Sequence, residues 1–101
     1  MKPAPWFSLI GLAFRAGKVV SGEEAVMSAV RGRKARLVIV AGDASERTKS
    51  MWENKCTYYE VPLRVAADRF DLGAAMGKAH RVVLAVIDQG FADKLTTLLD
   101  Q

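Results

Sequence analysis

The sequence has little of the chemistry that enzymes and metalloproteins need. It contains one cysteine, Cys56, and one histidine, His80. A lone cysteine excludes an intrachain disulfide, and one thiol with one imidazole cannot supply the several ligands of a zinc site. No Ser-His-acid triad and no pair of carboxylates suited to acid–base chemistry can be placed. We therefore expect no catalytic residue, no metal and no cofactor.

Long hydrophobic runs are also missing. No apolar stretch approaches the roughly 18 residues of a membrane span, and the first residues, Met-Lys-Pro-Ala-Pro-Trp, lack the apolar core of a signal peptide. The chain has no linker-like composition and no internal repeat, and its 101 residues suffice for one core. We expect a single domain over residues 1–101, cytoplasmic and monomeric, with no membrane contact.

The cysteine and two of the glycines fit structural roles better than chemical ones. Cys56 follows the helical pattern of Met51 and Trp52, which predicts a buried small hydrophobe rather than a reactive thiol. The glycines at Gly73 and Gly77 lie in a helical pattern with no Lys-Ser or Lys-Thr after them, so they do not form a phosphate-binding fingerprint.

Positive charge is in modest excess, with 15 Lys and Arg against 11 Asp and Glu and a net charge of +4. This balance favours polyanionic partners such as nucleic acid. Arg31, Arg33, Lys34 and Arg36 cluster around Gly32. A solvated turn between a helix and a strand explains such a cluster as readily as an RNA contact does.

Helical and strand spacing alternate along the whole chain. Apolar periodicity predicts helices that span residues 5–17, 22–31, 43–55, a short stretch after Asp68, and the segment after Asp88. Strands are predicted at residues 18–21, 37–41, 57–61 and 82–87, with residues 63–67 as an irregular connection after Pro62. Asp43 with Glu46 three residues later suggests a capping box, and Asp68 and Asp88 are predicted to cap the last two helices.

The apolar run at residues 37–41 does not alternate with polar residues. Such a strand is covered on both faces and lies centrally in its sheet. Buried strands flanked by amphipathic helices predict a three-layer α/β/α sandwich. The pattern does not give the order of the strands.

The junction at Ser21 and Gly22 is the most informative point, because a short strand passes there directly into a helix. The first turn of a helix carries unpaired N–H groups and the positive end of the macrodipole. In one interpretation Ser21 is a simple N-cap, and Glu23 and Glu24 are surface residues matched to the dipole. In the other, the start is open and binds acceptors of another molecule.

Five motifs resemble a known family in the same order and spacing over nearly the whole chain. They are RAGKVVSGEEAV (15–26), ARLVIVAGDAS (35–45), YYEVP (58–62), DLGAAMGK (71–78) and DQGFADKL (88–95). Together they resemble the kink-turn-binding ribosomal proteins, the L7Ae and L30e superfamily, and most closely its short bacterial members. The resemblance implies a mixed four-stranded sheet between helices. It also implies non-catalytic binding of structured RNA, a kink-turn bent beside tandem G·A pairs, and association with the ribosome.

The same resemblance implies that the start of the second helix enters the distorted major groove at those G·A pairs. Gly22 matches the family glycine, whereas Glu24 and Ala25 fall where many members have Asn and Glu. Ser28 replaces a family lysine. We interpret these departures as a changed set of contacts rather than as lost binding.

A second family surface covers the extruded bulge nucleotide and matches residues 66–69, where Arg69 keeps the family's positive charge. Ser45, with Lys49 one turn later, would complete the pocket, and we expect Lys18, beside the helix start, to be the cation closest to RNA. The implied RNA-binding residues are Lys18, Ser21, Gly22, Glu23, Glu24, Ser28, Ser45, Lys49, Ala66, Ala67 and Arg69.

The alternative to RNA binding is a protein-interaction module of the same fold. An exposed Trp6 or Phe70 would anchor a protein partner. Both aromatic residues fit the apolar face of their helices, so we expect them in the core.

Overall fold

A computed structural model describes residues 4–101. Within that range, five helices and four strands follow one another as α1 (Pro5–Arg15), β1 (Val19–Ser21), α2 (Glu23–Arg31), β2 (Leu37–Val40), α3 (Glu46–Tyr58), β3 (Leu63–Val65), α4 (Arg69–Ala75), β4 (Val83–Val86) and α5 (Gln89–Leu99). No helix in these residues is both long enough and apolar enough to cross a membrane. The alternation agrees with the apolar periodicity of the sequence.

The strands form one mixed sheet in the order β1-β4-β2-β3. β4 is antiparallel to both β1 and β2, and β2 is parallel to β3. Every residue of β2 and β4 is buried, which confirms the central position predicted for the apolar run in β2. The resemblance had implied a mixed sheet of this kind, and the observed topology agrees with it.

Alternate residues of the central strands enter two separate cores. Leu37 and Ile39 pack in a cluster with Ile10 of α1, Leu72 of α4 and Leu95 of α5. Val38 and Val40 alternate with Leu37 and Ile39 along the strand, so their side chains point to the opposite face of the sheet. There they pack in a second cluster with residues of α2 and α3, including Val26, Val30, Trp52 and Cys56. Helices thus cover both faces of the sheet, as expected for a three-layer α/β/α sandwich.

Cys56 lies inside the second core, where 2% of its surface is exposed. Desolvation by this burial raises the pKa of its thiol to about 11. A thiol with such a pKa carries almost no thiolate at neutral pH, so Cys56 acts as a small hydrophobe, as predicted.

The strand predicted at residues 57–61 is wrong. Thr57 and Tyr58 form the last turn of α3, and Tyr59 closes that helix by donating its N–H to the carbonyl of Lys55 at 3.0 Å. β3 forms instead in the segment predicted to be irregular, where Leu63 pairs with Val38. Aromatic and β-branched residues favour strands only weakly, and here the pairing with β2 decides where the strand forms.

The capping box predicted at Asp43 is also wrong. α3 begins at Glu46, and its N-cap is Ser45, whose Oγ accepts the N–H of Thr48 at 3.1 Å. The caps predicted for the last two helices are confirmed: Asp68 accepts two N–H groups at the start of α4, and Asp88 accepts one at the start of α5.

Trp6 and Phe70, the two aromatic residues considered as anchors for a protein partner, differ in their burial. Trp6 is partly buried against the first core. Phe70 is 61% exposed, which contradicts its predicted core position. α4 is only seven residues long and buries Leu72, Gly73 and Ala75, so Phe70, on its first turn, remains outside.

Gly73 marks the closest approach between α4 and the segment before β4. A Cβ at this position would lie 2.6 Å from Cα of His80 and 2.8 Å from its backbone nitrogen. Both are backbone atoms, so a side chain at position 73 requires the chain around His80 to move away.

We expect Gly73→Ala to lower the free energy of unfolding by about 1–3 kcal/mol, the usual cost of overpacking. The exposed neighbour Ala74 provides the control, and Ala74→Ser should change stability by about 0.5 kcal/mol or less. Urea denaturation of the three proteins tests this. Equal stability of the two variants would contradict the close approach.

Candidate nucleic-acid interface

The starts of three helices meet at one edge of the sheet. β1 and β2 are both antiparallel to β4, and β3 is parallel to β2, so these three strands run in the same direction. The helices α2, α3 and α4 follow the carboxyl ends of these strands. They therefore all begin at the same edge of the sheet. We call this the helix-start edge: it comprises residues 21–28, 41–49, 66–71 and 79–82.

The start of α2 is open. Its N-cap is Gly22, with φ 91° and ψ 153°, and no side chain caps the helix. The N–H of Gly22 bonds to the carbonyl of Val83 at 3.1 Å, and its carbonyl accepts the first helical bond from Val26 at 3.0 Å. The N–H groups of Glu23, Glu24 and Ala25 precede that bond and point away from the helix. Ser21 is thus not a simple N-cap.

No neighbouring segment within residues 4–101 covers this corner. A Cβ built on Gly22 would meet nothing within 4 Å. A depression of about 570 Å³ lies over the first turn and is lined by Ser21, Gly22, Glu23, Glu24, Ala25 and Ser28. A second depression, of about 350 Å³, continues from Gly22 toward His80 and Arg81. The unpaired amides therefore face open, concave surface.

Arg81 was missed by the sequence analysis, although it lies beside the open helix start. Its Nε donates to Ser21 Oγ at 3.2 Å, and its Nη1 donates to the carbonyl of His80 at 2.6 Å. Its backbone N–H donates to the carbonyl of Arg69 at 2.9 Å. Arg81 falls between the family motifs, and the only signal in the sequence was a basic residue just before a buried strand.

Arg69 lies at the helix-start edge, but its guanidinium already has a partner. Its Nε donates to Asp43 Oδ2 at 3.0 Å, and its Nη2 donates to the Asp43 carbonyl at 2.9 Å. Its backbone N–H donates to Asp43 Oδ1 at 3.0 Å. Arg69 thus joins the start of α4 to the loop before α3, and its charge is shared with a carboxylate.

The contact with Arg69 changes the pKa of the Asp43 carboxyl. Desolvation raises its pKa, but the hydrogen bonds and the positive charge of Arg69 outweigh that effect and lower the pKa below its ordinary value of 3.8. Ala67 reinforces the same junction, because its carbonyl accepts the N–H of Gly42 at 2.8 Å. The backbone of Ala66 donates to Val40 at 3.0 Å.

The remaining expected residues divide between two places. Ser45 and Lys49 lie at the helix-start edge, where Ser45 caps α3 and Lys49 Nζ is 3.6 Å from Glu46 Oε1. Lys18 does not lie beside the helix start. Its carbonyl accepts the N–H of Ile87, beyond the far end of β4, and the four residue steps along β1 separate it from Gly22 by about 13 Å.

Comparison with known proteins agrees with the motifs. Residues 5–96 match the sequence profile of the "Ribosomal protein L7Ae/L30e/S12e/Gadd45 family". RNA-binding protein YlxQ of Bacillus subtilis (strain 168) is 50% identical over 100 residues, 99% of this chain and 100% of that protein. Large ribosomal subunit protein eL30B of Schizosaccharomyces pombe is 37% identical over 94 residues, 87% of this chain and 77% of that protein. A solved protein of unknown function from Bacillus halodurans C has a TM-score of 0.94 and 44% identity, covering 98% of this chain and 100% of its own. These matches confirm the resemblance, including that to the short bacterial members.

We expect Asp43→Asn to lower the free energy of unfolding at neutral pH, because the amide loses the charge that faces Arg69. The pKa of Asp43 is lowered in the folded protein, so the stability it contributes is present above about pH 4 and is lost as the pH falls below that value. Urea denaturation of the wild type and the variant at about pH 7 and about pH 3 measures this. The difference between the two proteins should shrink in acid, and a constant difference would exclude the ion pair as its source.

Proposed function

This chain belongs to the ribosomal protein L7Ae/L30e/S12e/Gadd45 family of non-enzymatic RNA-binding proteins, and we propose that it binds RNA kink-turns through its helix-start edge. The observation that carries the proposal is the start of α2 at Gly22, which no side chain caps and no neighbouring segment covers. Three unpaired amides in a concave surface match a ligand that is rich in hydrogen-bond acceptors.

Purine edges supply those acceptors. Guanine presents O6 and N7 in the major groove, and adenine presents N7 together with an amino donor. In the proposed complex the amides of Glu23, Glu24 and Ala25 donate to such acceptors, and the exposed carboxylates of Glu23 and Glu24 accept from amino groups. Because Gly22 has no Cβ, a base can approach its backbone closely. This assignment explains why two acidic residues are compatible with an RNA-facing helix start.

The extruded nucleotide has a matching surface at the same edge. The rings of Phe70 and His80 lie 6.3 Å apart in an edge-to-face arrangement, and Phe70 is exposed. Unpaired bases of RNA are commonly held by stacking on such side chains. We assign Phe70 and His80 to the bulge nucleotide, Ala66 and Ala67 to the apolar wall beside it, and Arg81 to a phosphate.

The wider setting of the protein is part of the same proposal. The eL30B relative is named as a large ribosomal subunit protein, which supports ribosomal RNA as the source of the kink-turn. We further propose that residues 1–101 act as one RNA-binding domain, as a monomer and in the cytoplasm.

A protein-interaction role is the second candidate, and the exposed ring of Phe70 favours it. The two functions differ in what the purified protein carries. An RNA binder retains nucleic acid, with high absorbance at 260 nm that salt removes, because its affinity depends on displaced counterions. A module that binds only proteins retains none.

The direct test is a gel-shift titration with a standard kink-turn. The control RNA has the same length but carries Watson–Crick pairs in place of the tandem G·A pairs. We expect the kink-turn to bind at least about tenfold more tightly, since the control removes the purine edges that face α2. Equal affinity for both RNAs would reject kink-turn recognition.

A second prediction uses Ser28, which is exposed one turn after the helix start. Ser28→Lys adds a cation to the RNA-facing side of α2, so it should tighten kink-turn binding and steepen the dependence of log K on log salt by about 0.9. Gln89→Lys makes the same change of charge at the start of α5, beyond the opposite edge of the sheet, and should leave the slope unchanged. Filter binding across a salt series compares the two variants. The same slope increase in both would mean that Ser28 does not face the RNA.

A further inference from the structure

The edge of the sheet opposite the helix-start edge also carries a cluster of RNA-compatible side chains. It contains the turn between α2 and β2 and the end of α3. Three cations and two aromatic residues lie there: Arg33, Lys34, Arg36, Tyr58 and Tyr59. We call this set the basic-aromatic edge. Lys18, displaced from the helix start, lies at the same side of the sheet, where its carbonyl pairs with Ile87.

The cations of this edge are exposed, and in the described part of the chain their charges are not neutralised by a nearby carboxylate. Arg33, Lys34 and Arg36 are all exposed, and within residues 4–101 no carboxylate lies within 4.0 Å of their charged groups. Two carboxylates lie at the same edge: Glu60, which follows Tyr59, and Asp88, which caps the start of α5. Together with Lys18, the three cations give four positive charges against two negative charges, an excess that attracts phosphates.

The aromatic residues are arranged as a supported platform. Tyr58 is 76% exposed and meets the ring of Tyr59 edge-to-face, with 4.9 Å between the ring centroids. The guanidinium carbon of Arg33 lies 5.6 Å from the centroid of Tyr59, a cation–π distance. Tyr59 packs against the second core, so it anchors the other two side chains. The exposed ring of Tyr58 therefore rests against a partly buried neighbour, Tyr59.

We propose that the basic-aromatic edge is a second RNA site, which takes an unpaired strand. One base stacks on the ring of Tyr58, and the adjacent phosphates pair with Arg33, Lys34 and Arg36. An exposed aromatic ring beside several cations is the combination that single-stranded nucleic acid requires, because every base has a face that can stack. An acidic protein segment would use the cations but has no need of the ring.

The position of this site adds a capability that the kink-turn site alone does not have. The two edges lie at opposite ends of the strands, so one RNA segment does not block the other. The protein therefore holds a kink-turn at the helix-start edge and an unpaired strand at the basic-aromatic edge at the same time. Binding at the second edge does not depend on the start of α2, so it is independent of the kink-turn proposal.

The test uses the full chain and two probes, a fluorescently labelled short oligouridylate and a minimal kink-turn with short arms. We expect Tyr58→Ala to weaken oligouridylate binding about tenfold, because the stacking platform is lost. Tyr58→Phe keeps the ring and should bind like the wild type. Neither change should alter kink-turn affinity by more than about twofold, since the two probes occupy different edges. Tyr58 is exposed, so both variants should fold, which thermal unfolding checks.

A matched pair of lysines tests the charges. Lys34→Gln should lower the salt slope of oligouridylate binding by about 0.7, the value for one phosphate contact on a single strand. Lys94→Gln removes an exposed cation from α5 and should leave the slope unchanged. Oligouridylate affinity that is insensitive to Tyr58→Ala, or equal slopes for the two lysine variants, would overturn the second site and point to a protein partner. Failure of the wild type to bind the kink-turn would reject only the first proposal.

Discussion

The shared direction of β1, β2 and β3 is the constraint on which the rest of the molecule depends. Because these strands end at the same edge, the chain begins α2, α3 and α4 there, with α2 and α3 on one face of the sheet and α4 on the other. The start of a helix carries unpaired N–H donors and the positive end of the helix dipole. The shared direction of the three strands therefore brings both the donors and the positive dipole ends to one edge. The opposite edge receives the ends of α1, α2 and α3 and the start of α5, and the turn between α2 and β2 places a cluster of cations there. The two faces of the sheet are filled by core packing and leave the edges to carry function.

The three helix starts are not equivalent. Ser45 caps α3 and Asp68 caps α4, so their first amides are partly satisfied within the chain. α2 has Gly22 in place of a capping side chain and remains unsatisfied. The amides at the start of α2 are accessible to solvent, and water is the general hydrogen-bond partner of exposed backbone groups. Among these three starts only that of α2 is open, which favours one position for a ligand.

The sequence was most informative where burial and periodicity agree. The unbroken apolar run of β2 and the aspartate caps of α4 and α5 specify their structure locally, and these assignments are confirmed.

The sequence was least informative where contacts between distant segments determine the local structure. The residues of the last turn of α3 have the composition of a strand, yet β3 begins five residues after Tyr58, where Leu63 pairs with Val38. Asp43 resembles a cap in sequence but is held by Arg69, 26 positions away. Arg81 illustrates the same limit at the candidate interface, since its position beside Ser21 depends on the pairing of β1 with β4, which periodicity does not give. The distance of Lys18 from Gly22 follows instead from the extended conformation of β1.

The loops of the helix-start edge are tied to one another by a continuous set of hydrogen bonds. Gly42 bonds to Ala67, Asp43 to Arg69, Arg69 to Arg81, and Arg81 to Ser21, so four separate segments are linked in sequence. A surface linked in this way has little conformational entropy left to lose when a ligand arrives. In the proposed complex, the protein surface therefore keeps the same conformation before and after binding. The RNA is then the partner that changes conformation on association.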